Sequence, residues 1–253
     1  MSVDQVVLFD AVGTVIKPEP DVVSAYQRLG NCYGSRLTTK ELKSRISHAR
    51  QKYFNVYPTS KELEDVCQPG IFDSAADNIV SNDEIERQTW RQLVVEVFKE
   101  VPDSDQLFEE LWEHFRLPRH WQLYDDAAAC WDRLRSNGYL IGLASNFDSR
   151  LIQLCDSIPL LKTADFVFQS AGVGFRKPSP MFYQTIENEI LGSPMIGNST
   201  ARFYMVGDDL ENDCLAPARH GWSGFWLNRD QAQSNSVAPE VFTLKEFAEQ
   251  ISG

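Results

Sequence analysis

The sequence predicts an α/β protein in which a doubly wound, Rossmann-like parallel sheet carries an inserted helical domain. Three observations predict this fold. The opening segment Gln5–Ile16 starts with β-branched and aromatic residues, which indicates a buried strand whose carboxyl end delivers Asp10 to a loop. From Asp21 to about Arg116 the spacing is helical, with nothing convincingly strand-like. After Pro118, short apolar segments alternate with helical ones, which is typical of a parallel sheet covered on both faces.

This order of elements predicts two domains. We expect residues 1–17 and 119–253 to form the α/β core, and residues 18–118 to form the helical insertion. Thr38 and Glu41 stand at capping-box spacing and predict the start of one helix of the insertion. Tyr57–Asn82 contains prolines, glycine and acidic residues and is expected to be an irregular connection. The helices predicted in the insertion are Asp21–Tyr33, Thr39–Asn55, Asp83–Glu100 and Ser104–Phe115.

The core is predicted from regular alternation after residue 118. A helix over Asp125–Asn137 is expected to stop at Gly138, because glycine is favoured just beyond a helix end. The strands predicted after it are Tyr139–Ala144, Phe166–Gln169, Arg202–Val206 and Gly224–Leu227. The remaining predicted helices are Ser149–Asp156, Pro180–Ile190, Asn212–Arg219 and Leu244–Ile251.

The composition favours a soluble protein with a small-molecule partner. The chain has 253 residues, a hydrophobic content of 43% and a net charge of −12. Such an acidic chain repels nucleic acid and anionic lipid, so neither is an expected partner. No apolar run is long enough to span a bilayer, and the first residues lack the features of a signal peptide. Five scattered cysteines without a C-x-x-C pair fit reduced thiols, so we expect a cytoplasmic protein.

Polar side chains follow four of the predicted strands, at the point where each strand ends. They are Asp10, with Gly13 and Thr14 after it; Ser145 and Asn146; Lys177; and Asp208, Asp209 and Asp213. Taken alone, each of these groups is most often found in a turn, at a helix cap or as a solvated surface charge. Ligands of open parallel sheets lie at the carboxyl ends of the strands, so the four groups are expected to converge there.

Together these residues make a coherent chemical set. The Asp10 carboxylate is able to attack phosphorus or carbon and form a covalent intermediate. Asp10 and Asp208 offer the hard oxygen ligands that Mg²⁺ prefers. Lys177 supplies a positive charge for the nucleophile and the developing phosphoryl oxygens. Ser145 adds a hydroxyl donor to the same oxygens.

These residues resemble the four motifs of the haloacid dehalogenase superfamily. Asp10–Thr14 looks like motif I, Ser145 like motif II, Lys177 like motif III, and Asp208, Asp209 and Asp213 like motif IV. The resemblance covers essentially the whole chain. It implies an α/β hydrolase core whose helical insertion is a C1 cap that closes over the active site and selects substrate. It also implies Mg²⁺ held by Asp10, Asp208, Asp209, Asp213 and the Val12 carbonyl, with Thr14, Ser145, Asn146 and Lys177 contacting phosphate.

The sequence departs from that resemblance at Val12. Phosphatases of the superfamily carry a second aspartate there, which protonates the leaving group and later activates water. Valine keeps the backbone carbonyl but cannot transfer a proton. We expect a deficit of about 10²–10⁴-fold for substrates with poor leaving groups.

Three interpretations therefore stay open. The first is a Mg²⁺-dependent phosphohydrolase of a small phosphorylated substrate, with an aspartyl-phosphate on Asp10. The second is a binding or regulatory protein that keeps the fold without useful turnover. The third is a 2-haloacid dehalogenase, because Phe9–Thr14 resembles that family's motif, Arg50 lies in a segment resembling its substrate-arginine region, and Tyr183 follows the lysine motif as a tyrosine does there. Lys52 is the one candidate for a substitute acid supplied by the cap, as in phosphonatases.

Overall fold

The computed structural model describes residues 4–54, 79–197, 200–231 and 238–252. Their contacts divide the chain into two compact units. Unit 1 contains residues 4–17, 79–82 and, apart from the stated gaps, 122–252, and unit 2 contains residues 18–54 and 83–121. This division differs from the predicted domains at two places. Residues 79–82 group with unit 1, although the chain reaches them from within the insertion, and residues 119–121 group with unit 2.

Unit 1 is built on a parallel six-stranded sheet, as the sequence predicts. Every neighbouring pair of strands is parallel. In their order across the sheet, the strands are β5 (Phe166–Gln169), β4 (Leu140–Ser145), β1 (Asp4–Phe9), β6 (Ala201–Gly207), β7 (Ser223–Leu227) and β8 (Glu240–Val241). From β1 the chain continues to β4 and β5 on one side, then returns to β6 on the other side. The carboxyl ends of β1, β4 and β6 therefore meet where the strand order reverses.

Strand β1 is apolar from Val6 to Phe9 because both faces of the sheet are covered there. Val6, Val7, Leu8 and Phe9 are all completely buried. On one face, Val6 and Leu8 belong to a cluster with Phe182 and Ile186. On the other face, the ring of Phe9 stacks on that of Trp131 at a centroid distance of 5.4 Å. Burial on both faces fixes the end of β1, and with it the position of Asp10.

Helices pack against both faces of this sheet. They are α5 (Ala127–Ser136), α6 (Arg150–Ser157), α7 (Ser170–Val173), α8 (Pro180–Leu191), α9 (Ala216–Arg219) and α10 (Leu244–Ser252). One prediction here is wrong in detail: the helix expected over Asn212–Arg219 becomes α-helical only at Ala216, because Leu210–Leu215 winds as a π-helical turn. The short elements α7 and β8 were not predicted, since four and two residues carry no measurable periodicity.

Unit 2 is helical. Its helices are α1 (Val22–Cys32), α2 (Thr39–Tyr53), α3 (Asp83–Val97) and α4 (Ser104–Arg116). The predicted capping box is present: the Glu41 amide donates to Thr38 Oγ1 at 3.3 Å, and the Thr38 amide donates to Glu41 Oε2 at 2.8 Å. The predicted irregular connection Tyr57–Asn82 lies outside the described residues except for 79–82.

The chain passes between the units through two short strands that pair with each other, β2 (Ile16–Pro18) and β3 (Trp121–Leu123). Three-residue strands were not predicted from the sequence. Among the described residues, no helix combines the length and the apolar character needed to cross a membrane.

Candidate active site

Two strand ends and one loop bring the predicted acidic and basic side chains of unit 1 together. Asp10 follows β1, and its amide donates to the Val206 carbonyl of β6 at 2.9 Å. Asp208 follows β6 directly, and Asp213 lies in the π-helical turn after it. Lys177 reaches the same place from the loop before α8, although its position along the chain lies 167 residues from Asp10.

The Lys177 ammonium is the centre of this arrangement. It donates to Asp10 Oδ1 at 2.9 Å, to Asp213 Oδ1 at 2.6 Å and to the Ala144 carbonyl at 2.9 Å. An ammonium has three N–H donors, so all of them are used. Lys177 and Asp213 are fully enclosed, and Asp10 is nearly so. Buried charges persist only when they are paired and hydrogen-bonded, and the Lys177 ammonium meets both conditions.

Asn146 fixes the backbone from which Lys177 projects. Its Nδ2 donates to the Lys177 carbonyl at 2.9 Å, and its Oδ1 accepts from the Lys177 amide at 2.8 Å. The side-chain amide therefore pairs with the main chain of residue 177 in both directions. The structure shows that its amide holds the lysine loop; a contact between Asn146 and phosphate stays a prediction.

The carboxylates of the site outnumber the one ammonium that faces them. Burial lowers the pKa of Lys177, but Asp10 and Asp213 outweigh that effect and raise it above its ordinary value. Burial raises the pKa of Asp213 well above its ordinary value; Asp10 and Asp208 add to the rise, and Lys177 opposes it. Neighbouring carboxylates contribute to both pKa shifts. A single ammonium faces three carboxylates and does not neutralise them all.

The Asp208 carboxylate lies against the turn that follows Asp10. Gly13 has a φ of +87°, and a Cβ added to it would lie 2.2 Å from Asp208 Oδ2. Gly207 is equally constrained, because its added Cβ would lie 2.1 Å from Asp213 Oδ2. The two glycines leave room for two carboxylates to approach the backbone closely.

The three carboxylates form a group that suits a divalent cation. Oxygens of Asp10, Asp208 and Asp213 all lie within 4.8 Å of one another. Hard carboxylate oxygens with excess negative charge match the preference of Mg²⁺. Asp208 is exposed at the open side of the group, whereas Asp213 is buried beneath it.

Asp209 and Val12, which were also predicted to be metal ligands, lie beside this group rather than among its carboxylates. The Asp209 carboxylate accepts from the Asn212 amide at 2.9 Å and so caps the π-helical turn. Val12 stands in the turn after Asp10 and pairs with Ile16 through its backbone. Their contact with a metal stays a prediction.

Two hydroxyls that were predicted to bind phosphate, those of Ser145 and Thr14, are both buried. Ser145 is the last residue of β4 and is buried at the same edge of the sheet. Thr14 is completely enclosed, and within the described residues its hydroxyl has no hydrogen-bond partner. A role for either hydroxyl in binding phosphate stays a prediction.

Arg50 and Lys52 belong to helix α2 of unit 2. Arg50 is exposed there, and its contact with substrate remains untested. The Lys52 ammonium pairs with Glu96 at 2.7 Å, which is the ordinary role of a surface lysine. Tyr183 in unit 1 is buried, and its hydroxyl donates to the Asn212 carbonyl at 2.6 Å, so it acts as a packing residue.

One known protein family has a model that matches most of this chain. The family model described as haloacid dehalogenase-like hydrolase matches residues 5–221. The chain belongs to this family. The motif resemblance seen in the sequence is thereby confirmed at the level of the family and the fold.

Individual relatives agree with membership of the haloacid dehalogenase-like family. The chain is 27% identical over 164 residues to haloacid dehalogenase-like hydrolase domain-containing protein 3 of Bos taurus, a match that spans 61% of this chain and 63% of that one. The putative HAD-hydrolase YfnB from Bacillus subtilis, solved with bound magnesium, has a TM-score of 0.71 and 17% identity over the whole of both chains. The L-2-haloacid dehalogenase RSc1362 has a TM-score of 0.66 and 17% identity, again over the whole of both chains.

The close approach of Asp208 to Gly13 is testable by substitution. Gly13→Ala and Gly138→Ala both place alanine in a left-handed conformation, at φ values of +87° and +81°. That conformation alone costs about 1–2 kcal/mol. We expect Gly13→Ala to lose more stability in urea unfolding than Gly138→Ala, because the added Cβ at residue 138 meets nothing within 4 Å. Equal losses would show that the Asp208 carboxylate does not rest on Gly13.

Proposed function

We propose that this haloacid dehalogenase-like hydrolase is a Mg²⁺-dependent phosphohydrolase of a small phosphorylated substrate, with Asp10 as the nucleophile. The observation that supports the proposal most is the buried Lys177 ammonium, bonded to both Asp10 and Asp213 beside an exposed Asp208. A carboxylate that is held in place by a lysine is suited to in-line attack on a phosphorus atom. The further carboxylates beside it are suited to bind a cation, which would offset the negative charge of the phosphate.

In the proposed reaction, a carboxylate oxygen of Asp10 attacks phosphorus. The new P–O bond forms as the bond from phosphorus to the substrate's leaving oxygen breaks, which gives an aspartyl-phosphate and an alkoxide or phenolate. Lys177 orients the Asp10 carboxylate, since its own ammonium is held by two carboxylates and a carbonyl. Water then attacks the phosphorus of the aspartyl-phosphate, releases inorganic phosphate and restores the Asp10 carboxylate.

Mg²⁺ would be held by Asp10 and Asp208, with Asp213, Asp209 and the Val12 carbonyl as further candidate partners. When bound, it neutralises the repulsion between the carboxylates and the incoming phosphate. The acidic group of the structure fits such an ion, and the related YfnB is a magnesium-bound protein. Ser145, at the end of β4, is proposed to donate to a phosphoryl oxygen.

Val12 limits the proposed reaction. A valine side chain neither gives a proton to the leaving oxygen nor takes one from the attacking water. The proposed enzyme is therefore slow on alkyl phosphates, whose leaving oxygens need a proton, and faster on aryl or acyl phosphates. General acid–base catalysis is worth about 10²–10⁴-fold, which sets the size of the expected difference.

Unit 2 is proposed to be the cap that selects the substrate. Its helical character and its insertion between motif I and the rest of the core support this role. Arg50, exposed on α2, is proposed to contact an anionic part of the substrate. The choice among small phosphorylated substrates is proposed to depend on the side chains of unit 2.

Two other functions are distinguishable by experiment. Val12 favours a binding protein without turnover, which would bind Mg²⁺ and phosphate but release no product. This chain shares its fold with RSc1362, an L-2-haloacid dehalogenase, and a halide leaving group needs no proton. Release of chloride from L-2-chloropropionate in the absence of metal would replace the phosphohydrolase proposal with the dehalogenase one.

The role of Asp10 is tested by Asp10→Asn. We expect this variant to lose all Mg²⁺-dependent hydrolysis of p-nitrophenyl phosphate, because an amide oxygen is a poor nucleophile. Asp132→Asn, at an exposed position on α5, is the matched control and is expected to hydrolyse at the wild-type rate. Turnover by Asp10→Asn equal to that of the wild type would discard Asp10 as the nucleophile.

The cost of Val12 is tested by Val12→Asp, with Val12→Asn as the control of similar size that transfers no proton. We expect the aspartate to raise kcat on alkyl phosphates at least tenfold, and less on p-nitrophenyl phosphate. The asparagine is expected to give no gain on either substrate. Absence of a gain from Val12→Asp would favour the binding-protein function.

A further inference from the structure

We propose that Arg229 is a positioning residue that sets the geometry of the Mg²⁺ site through the turn after Asp10. It lies two residues beyond β7, at the same edge of the sheet as the carboxylates. One of its guanidinium nitrogens, Nη2, donates to the Thr14 carbonyl at 2.9 Å. Thr14 is the residue after Gly13, on which the Asp208 carboxylate rests. Arg229 thus contacts the turn directly, without touching the reacting atoms.

The guanidinium is itself held from two directions. Asp126 accepts from Nη1 and Nη2 at 3.0 Å each, in a bidentate pair that fixes the plane of the guanidinium. Asp126 Oδ2 also accepts from the Leu244 amide at 2.9 Å, at the start of α10. The guanidinium carbon lies 4.0 Å from the centroid of the Tyr124 ring. The two bonds to Asp126 and the contact with the Tyr124 ring leave the guanidinium little freedom, so its bond to Thr14 has a defined direction.

Tyr124 holds the next residue of the same turn. Its amide donates to the Val15 carbonyl at 3.0 Å, one residue after the carbonyl that Arg229 holds. Two successive carbonyls of the turn are therefore fixed by neighbours that contact each other. The turn in question begins at Asp10 and carries Gly13, so its position decides how far the Asp10 and Asp208 carboxylates stand apart.

A lysine at position 229 would not replace the arginine. Its single ammonium keeps the positive charge over Tyr124 but lacks the planar fork that bonds Asp126 twice and Thr14 at the same time. Outer partners of a metal site typically change metal affinity or activity by about 10–100-fold when they are altered. We therefore expect a functional effect from a substitution that conserves charge.

The test measures the affinity for Mg²⁺ by titration calorimetry and the kinetics with p-nitrophenyl phosphate, in the full-length protein. We expect Arg229→Lys to weaken Mg²⁺ binding about tenfold or more and to lower kcat at saturating Mg²⁺, with little change in KM. Asp126→Asn keeps an acceptor for the Leu244 amide but loses its charge, and is expected to change both quantities in the same direction by a smaller factor.

Arg135→Lys is the matched control. Arg135 also bonds one carboxylate and one backbone carbonyl, those of Asp165 and Thr163, and Asp165 likewise accepts an amide, that of Ile141. This pair lies at the amino ends of β4 and β5, away from the carboxylates. We expect Arg135→Lys to lower the melting temperature without changing Mg²⁺ affinity.

The inference rests on the proposed metal-dependent function, and the outcomes separate the two. Wild-type protein that binds Mg²⁺ without hydrolysing any phosphate ester would overturn the function, while weaker binding by Arg229→Lys would still support the role of Arg229. Mg²⁺ affinity unchanged by Arg229→Lys, or lowered equally by Arg135→Lys, would overturn the role of Arg229 alone. A wild type that binds no Mg²⁺ would overturn both.

Discussion

The buried ammonium of Lys177 is the interaction on which the site depends. It stands between Asp10 and Asp213 and uses its third donor on the backbone of β4, so it joins elements from the beginning, middle and end of the chain. Removing one partner of a buried ion pair costs about 3–5 kcal/mol, because the other charge stays buried. Asn146 stabilises the arrangement from behind by pairing with the backbone of residue 177. The Asp10 carboxylate, the proposed nucleophile, is thus fixed by neighbouring side chains alone.

The same arrangement leaves a surplus of negative charge, which suits the site to bind a cation. Three carboxylates share one lysine, and two glycines let the carboxylates of Asp208 and Asp213 approach the main chain. Such a site is costly for stability alone and is typical of a site that binds a cation. In the proposed reaction, the site provides the attacking carboxylate of Asp10, whereas Val12 provides no group that transfers a proton.

The sequence predicted the parallel sheet and the convergence of Asp10, Lys177, Asp208 and Asp213 because both follow from local patterns. Continuous apolar strands indicate burial on both faces, and parallel strands bring their carboxyl ends to one edge. What the sequence could not predict depends on long-range geometry. The pairing of the Asn146 amide with residue 177 and the contacts of Arg229 with Thr14 and Asp126 join residues 31, 215 and 103 positions apart. The π-helical turn before α9 escaped prediction because its residues have ordinary helical spacing.

A crystal structure grown with Mg²⁺ and beryllium fluoride, which mimics a phosphoryl group on a carboxylate, tests the central claim most directly. The account predicts trifluoroberyllate on the Asp10 carboxylate, Mg²⁺ bound to Asp10 and Asp208, and the Lys177 ammonium still bonded to Asp10. Mg²⁺ and fluoride bound elsewhere, or an Asp10 carboxylate turned away from Lys177 and carrying no ligand, would contradict it.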